Sequence, residues 1–240
     1  MLTYSKLKRN RRQFLALTGL TRKEFQRLLP AFDRAYARRF PSTQTLAGRR
    51  RQRKPGGGRK TSLDSSEQKL LFALVYLKTY PLQALVGEVF DLSQSRANRW
   101  IHQLLPVLQR ALKNVGVRPA RDPRQFARHE RRTGEPLDLI IDGTERRRQR
   151  PKNPEKQALY YSGRKKTHSD TNVVIANRKT KRIGYLSQTY VGKTQDKKVV
   201  DQERIAYPQG AKLYQDTGFQ GYAPRGCEIY QPKKSPRNGT

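Results

Sequence analysis

The spacing of apolar residues changes period once along this chain, and that change limits the folds open to it. Between Leu70 and Leu108 they recur at i, i+3, i+4 and i+7, the period of helices that bury one face. From Leu137 the runs become short and β-branched. Leu137, Leu139, Ile140 and Ile141 lead straight into Asp142 and Gly143, which predicts a buried strand ending on an acid. A carboxylate placed there is held rigidly enough to ligate a metal; an Asp-Gly pair serves equally well to turn the chain. The expectation is an α+β chain, helices first and a mixed sheet second.

Five stretches follow from this pattern. Residues 1–40 form a small helical segment. Thr21 and Glu24 have the spacing of a capping box, and Phe25, Leu28, Leu29, Phe32 and Tyr36 follow at helical spacing, with Pro30 set to bend or interrupt them. Residues 41–62 form a basic, Gly-rich linker, with seven basic residues and no acid across 41–60. Gly56, Gly57 and Gly58 lack the Gly-Lys-Ser/Thr of a phosphate loop, and the linker's phosphate contacts are assigned to Arg50, Arg51 and Arg59.

Residues 63–117 read as a helix-turn-helix module. One helix ends near Tyr80, a second starts with Pro81 in its first turn, and Ser93 caps a third that carries Ala97, Trp100, Ile101, Leu104 and Leu108. The start of the third helix presents Gln94, Ser95, Arg96, Asn98 and Arg99 to a major groove; a plain three-helix bundle with polar outward residues has the same pattern. Trp100 is read as core. Residues 118–136 form an Arg-rich connector, broken up by Pro119, Pro123 and Pro136. Residues 137–240 form the sheet domain, with a loop at Pro151–Pro154, further strands at Thr171–Ala176, Ile183–Tyr190, Lys212–Asp216 and Glu228–Gln231, and a short helix within Lys193–Ile205.

Charge narrows the partners. The chain carries 52 Lys and Arg against 19 Asp and Glu, a net +33, and so large an excess calls for a polyanion. Residues 1–63 hold 18 basic and 2 acidic residues, 64–117 hold 6 and 4, and 118–240 hold 28 and 13. Two highly basic regions thus flank a nearly neutral middle. No long apolar segment or dominant basic amphipathic helix points to membrane, so nucleic acid is the expected partner. No apolar signal-peptide core follows Met1, which is read as an intracellular protein. The single cysteine, Cys227, excludes a disulfide framework or a cysteine zinc site within one chain, and His102, His129 and His168 have no zinc spacing.

Asp142 and Asp216 each end a predicted strand, 74 positions apart. If those strands are neighbours, two hard carboxylates meet at one edge. Such donors suit Mg²⁺ or Mn²⁺ in a two-metal site for phosphodiester chemistry. Asp196 is a weaker metal candidate, since it equally suits a helix N-terminus. Lys165, Lys166 and His168 are candidate phosphate contacts, or a solvated hairpin approach. Glu145 either supports the metal site or lies on the surface.

The chain resembles the DDE-superfamily transposases of bacterial insertion sequences, of the insertion-sequence-five type. The resemblance runs through Ser93–Ser95 with Arg99 and Trp100, Asp142–Glu145, Tyr161–His168, Gly184–Ser187, Gly192–Lys198 and Tyr214–Tyr222. It implies an N-terminal helix-turn-helix module before an RNase H-like domain, here lacking its last helices. It also implies divalent-metal-dependent cleavage and strand transfer at transposon ends on double-stranded DNA, by a homodimer in the synaptic complex of a cytoplasmic, nucleoid-associated bacterial protein. Asp142 matches the family's first catalytic carboxylate and Asp216 its second. The third, a glutamate on a helix after the last strand, has no counterpart in 231–240, and Glu228 sits in a strand-like segment. Gln195 stands where similar sequences often carry His. Impaired cleavage is therefore expected, and a non-catalytic DNA-binding remnant that represses transposition is the alternative. A basic RNA-binding protein is disfavoured, because no RNA-recognition aromatic motif is visible.

Overall fold

The computed structural model describes residues 1–45, 48–52, 61–131 and 137–233. It divides into two compact units, 1–117 and 118–240. No described helix is long and apolar enough to cross a membrane.

The first unit is helical: α1 (Tyr4–Leu7), α2 (Arg11–Thr18), α3 (Arg22–Arg39), α4 (Ser66–Thr79), α5 (Gln83–Val89) and α6 (Gln94–Asn114). The ends are set by local chemistry. Thr21 Oγ1 accepts from the Glu24 amide while Glu24 Oε2 accepts from the Thr21 amide at 2.7 Å, the expected capping box. Ser93 caps α6 through the Arg96 amide. Both Pro30 and Pro106 lie inside helices that run on past them; burial of one face of each helix outweighs the one lost hydrogen bond. Pro81 lies outside α5, whose N-cap is Leu82, so it stiffens the approach rather than the first turn. Phe14, Phe25 and Phe32 share one core with Leu70, Leu71, Phe72, Leu104 and Leu108. The 1–40 helices and the 63–117 helices are therefore packed together, and Leu2 donates its amide to Val89 O at 2.8 Å.

The α5–α6 turn is tight. Leu92 N donates to Gly87 O at 2.8 Å, and a Cβ on Gly87 would stand 2.6 Å from Leu92 O. Asp91 adopts φ 55°. A second helix capped by Ser93 and entered through so close a turn is a helix-turn-helix. In the basic stretch, Gln44 and Arg50 form an antiparallel bridge, and Arg51 N donates to Thr43 O at 2.8 Å. Gly56–Gly58 and Arg59 lie outside the described residues.

The second unit is a mixed sheet: α7 (Phe126–Arg131), β1 (Asp138–Arg147), α8 (Pro154–Tyr160), β2 (Tyr161–Ser162), β3 (Thr167–Asn177), β4 (Ile183–Leu186), β5 (Tyr190–Val191), α9 (Asp196–Glu203), β6 (Ala211–Tyr214) and β7 (Cys227–Tyr230). Strand order is β2-β3-β1-β6-β7, with β4 and β5 on the outer edge of β3. The β1–β3–β4 meander is antiparallel, and β1, β6 and β7 are parallel. This is the RNase H-like arrangement expected. Leu139, Ile141, Val173, Ile175 and Leu213 form the core, sealed by Val199 and Val200 of α9.

Three sequence expectations are corrected here. The strand expected to end at Asp142 continues to Arg147, because β3 offers it paired residues as far as Ser169; Asp142 is mid-strand, which removes the turn reading. The 118–136 connector belongs to the sheet unit. Ala120 bridges to Tyr185, accepting from Leu186 N at 3.1 Å, and Phe126 is fully buried against Tyr185 and Tyr207. The loop expected at 151–154 leads into α8, with Asn153 as N-cap and Pro154 in the first turn, a start signal present in the sequence.

Candidate active site and nucleic-acid interface

Register brings the two aspartates together. In the parallel pair of β1 and β6, Ile140 faces Tyr214. Two residues further along each chain stand Asp142 and Asp216. There β6 has ended while β1 continues on β3, with Asp142 opposite Val174. Both are exposed, and both line one open groove with Ile140, Arg178, Tyr214 and Tyr230. Asp216 also caps a single 3-10 turn, accepting from Gly218 N at 2.9 Å through Oδ1. That contact fixes the carboxylate and leaves Oδ2 outside it.

Asp196 approaches from the other side of β1. Strand alternation puts Gly143 on the face that carries buried Leu139 and Ile141, and a Cβ on Gly143 would lie 2.1 Å from Asp196 Oδ1. The glycine therefore leaves the space that the Asp196 carboxylate occupies. Asp196 is the first residue of α9, above a Gln195 cap with no side-chain bond, so the helix N-terminus also favours its charge. Burial raises its carboxyl above the ordinary value; Arg164 opposes this, and Asp216, Asp142 and Glu145 raise it further. Glu145 accepts from Ser169 Oγ at 2.8 Å, which holds it to β3.

The hairpin between β2 and β3 supplies positive charge. Lys165 and Lys166 are exposed at its tip, with Lys166 at φ 52°. His168 sits lower, edge-on to Tyr161 with ring centroids 5.6 Å apart. The hairpin residue that reaches Asp196 is Arg164, with Nη1 3.8 Å from Asp196 Oδ2. Sequence reasoning passed over it for its two lysine neighbours; its place in the turn, opposite the first residue of α9, is visible only in three dimensions.

α9 is itself held in place by an interior acid. Glu203 accepts from the Gln188 amide at 3.0 Å, from Tyr190 Oη at 2.8 Å and from Tyr185 Oη. Burial, then the Glu203 bond, pushes the Tyr190 hydroxyl up to about 12 and that of Tyr185 further. No sequence signal marks this cluster, because its members come from different elements.

The hard, anionic donors Asp142 and Asp216 fit a divalent cation of the Mg²⁺ class, which binds through one or two carboxylates and takes its other ligands from water and phosphate. Among the described residues no three carboxylate, imidazole or thiol groups converge as a closed protein cage. The arrangement is an open, two-acid one.

In the helical unit, Gln94, Ser95, Arg96 and Arg99 are exposed along the first turns of α6. Asn98 is half-buried and donates to Gln83 Oε1 of α5 at 3.0 Å, so part of its capacity is spent within the motif. Trp100 packs on the core. Arg50 and Arg51 are exposed beside the Gln44–Arg50 bridge, Arg51 Nε donating to Gln44 O at 2.7 Å.

No curated protein and no solved structure matches the chain. Two family models do. Residues 61–114 match the helix-turn-helix of DDE superfamily endonuclease, and residues 141–238 match the DDE superfamily endonuclease domain. The first match covers the capped α4–α6 motif and the second begins one residue before Asp142. These two stretches are thus similar to the helix-turn-helix and to the endonuclease domain of the DDE superfamily.

Proposed function

We propose that the chain is an insertion-sequence transposase that binds transposon ends through the start of α6 and cuts the DNA backbone at the groove of Asp142 and Asp216. The observation that supports this reading is register: two acids 74 positions apart in sequence each follow the paired residues Ile140 and Tyr214 by two positions and line one groove. Asp142 and Asp216 hold the divalent cation, Mg²⁺ or Mn²⁺, and Asp196 adds negative charge behind Gly143. When bound, the cation neutralises charge at the scissile phosphate and activates the attacking water or hydroxyl. The protein's remaining work is positioning. Arg164, Lys165 and Lys166 hold backbone phosphates on the approach, and His168 supports the hairpin that carries them. Gln94, Ser95, Arg96 and Arg99 read the end sequence in a major groove, with Asn98 keeping α5 and α6 in register. Arg50, Arg51 and Arg59 add phosphate contacts whose strength falls with salt. Two copies, one on each end, assemble the synaptic complex in the bacterial cytoplasm on the nucleoid.

A second reading, DNA binding without cleavage and hence repression of transposition, is favoured by the open, two-acid character of the site. Nicking of DNA that carries the element's ends, in Mn²⁺, separates the two. The transposase reading expects nicking that Asp142→Asn and Asp216→Asn each abolish while end binding stays within twofold of the parent. Binding without any nicking, even when a segment carrying a glutamate helix is added in trans, selects the repressor.

A further inference from the structure

Helix α3 buries Phe25, Leu28, Ala31, Phe32 and Ala35 against the core of the helical unit and leaves another face to solvent. Lys23, Arg27, Arg34 and Arg38 are all exposed on α3. At 3.6 residues per turn these four fall within about 60° of arc and span about 22 Å along the helix, so they form one stripe of cations. None of them is in an ion pair: among the described residues the ion pairs are those of Arg148, Arg164 and Lys197, all in the sheet unit. Glu24 and Asp33 are the only acids in residues 1–63, and both are engaged elsewhere. Glu24 closes the Thr21 capping box, and Asp33 accepts from Ser66 Oγ at the start of α4.

Four cations held in line with no acid beside them repel one another, and a polyanion with regularly spaced charge relieves that repulsion. A lipid surface is the poorer fit, because an interfacial helix must put its apolar face into the bilayer and that face of α3 is committed to the core. A duplex strand carries a phosphate about every 3.4 Å of axis, so the stripe spans about six. It is also fixed relative to the helix-turn-helix. Asp33 ties α3 to Ser66 of α4, and Ser62, four residues earlier, donates to Asp91 O at 2.9 Å in the turn that leads into α6. We propose that the Lys23–Arg27–Arg34–Arg38 face of α3 is a second DNA-binding surface, which holds the phosphate backbone of duplex flanking the stretch read by α6. It supplies affinity and salt dependence without sequence preference, as phosphate contacts do. It rests on the DNA-binding part of the function proposed above and not on cleavage.

Fluorescence anisotropy of the full chain on a labelled random-sequence duplex, across a salt series, tests it. Each phosphate neutralised adds about 0.9 to the slope of log affinity against log salt. Lys23→Gln, Arg27→Gln, Arg34→Gln and Arg38→Gln combined should reduce that slope by about 2–4 and weaken binding about tenfold or more. Melting should be no lower than in the parent, because the four side chains are exposed and Gln suits a helix about as well as Lys or Arg. Arg27→Gln alone should reduce the slope by about 1, and Arg27→Lys, Arg34→Lys and Arg38→Lys combined should keep it. Lys179→Gln, Lys181→Gln, Arg204→Gln and Arg225→Gln, at exposed positions on the sheet unit, remove the same charge and should reduce the slope less than half as much. The proposal is overturned if the stripe variant keeps the parent slope, or if the sheet-unit variant loses as much. It is also overturned if the stripe variant keeps its DNA slope and instead loses binding to phosphatidylserine–phosphatidylcholine vesicles. A parent that binds no duplex overturns the function proposed above as well, whereas a parent whose binding is untouched by the stripe substitutions overturns the stripe alone.

Discussion

The two units use the same devices for different ends. Each has a glycine without which a neighbour would be displaced. In the helical unit, a Cβ at Gly87 meets the Leu92 carbonyl at 2.6 Å, which is backbone. In the sheet unit, a Cβ at Gly143 meets the Asp196 carboxylate at 2.1 Å, the end of a side chain. The first glycine keeps a turn closed and the second keeps a charge in place. In the helical unit the sequence is spent on stability and presentation, and in the sheet unit on holding acids close together against their repulsion.

Substitutions should separate these roles. The largest effect is expected in the sheet unit. Asp142→Asn or Asp216→Asn should lower end cleavage about 10³-fold, roughly 4 kcal/mol of transition-state stabilisation, with no loss of melting temperature; single-turnover nicking beside a thermal melt measures both. Next come the glycines. Gly87→Ala should destabilise the helical unit by roughly 1–3 kcal/mol, the usual cost of overpacking. Gly143→Ala should cost less stability, because the Asp196 side chain can swing away, yet should alter cleavage. If both melt alike and both cut alike, the contrast between the units is wrong.

Alkaline pH should also discriminate. The hydroxyls of Tyr190 and Tyr222 are pushed up to about 12, burial being the first cause, from an ordinary value of 10.0. A group raised on folding gives stability that is complete below its unfolded value and is lost as pH climbs towards its folded one. The sheet unit should therefore weaken between about pH 10 and 12, and Tyr190→Phe should reduce that dependence, as read from denaturation at each pH. The smallest effect is Thr21→Ala, which removes the α3 cap and should cost the helical unit about 1 kcal/mol.

Legibility followed the range of the interactions. The Thr21–Glu24 box, the Ser93 cap and the α5–α6 turn are contacts between residues a few positions apart, and the sequence displays them directly. The ends of β1 and β4 are not local properties. Asp142 sits mid-strand because β3, some thirty residues later, offers it a partner, and Ala120 joins the sheet through Gly184 and Leu186. Asp142 and Asp216 are paired in the sequence because each closes a predicted strand, and the expectation of neighbouring strands does not depend on where each strand stops. Arg164 and Glu203 could not be placed this way, since each acts on an element distant in sequence.

The central claim is that Asp142 and Asp216 share one divalent cation. A Mn²⁺ titration followed by electron paramagnetic resonance, on the parent, Asp142→Asn, Asp216→Asn and the double variant, tests it without any need for the DNA sequence. Shared coordination predicts that each single variant weakens binding by roughly tenfold or more and that the double variant loses little beyond either single one, as for residues acting as a unit. Unchanged affinity in either single variant, or two losses that simply multiply, would contradict it.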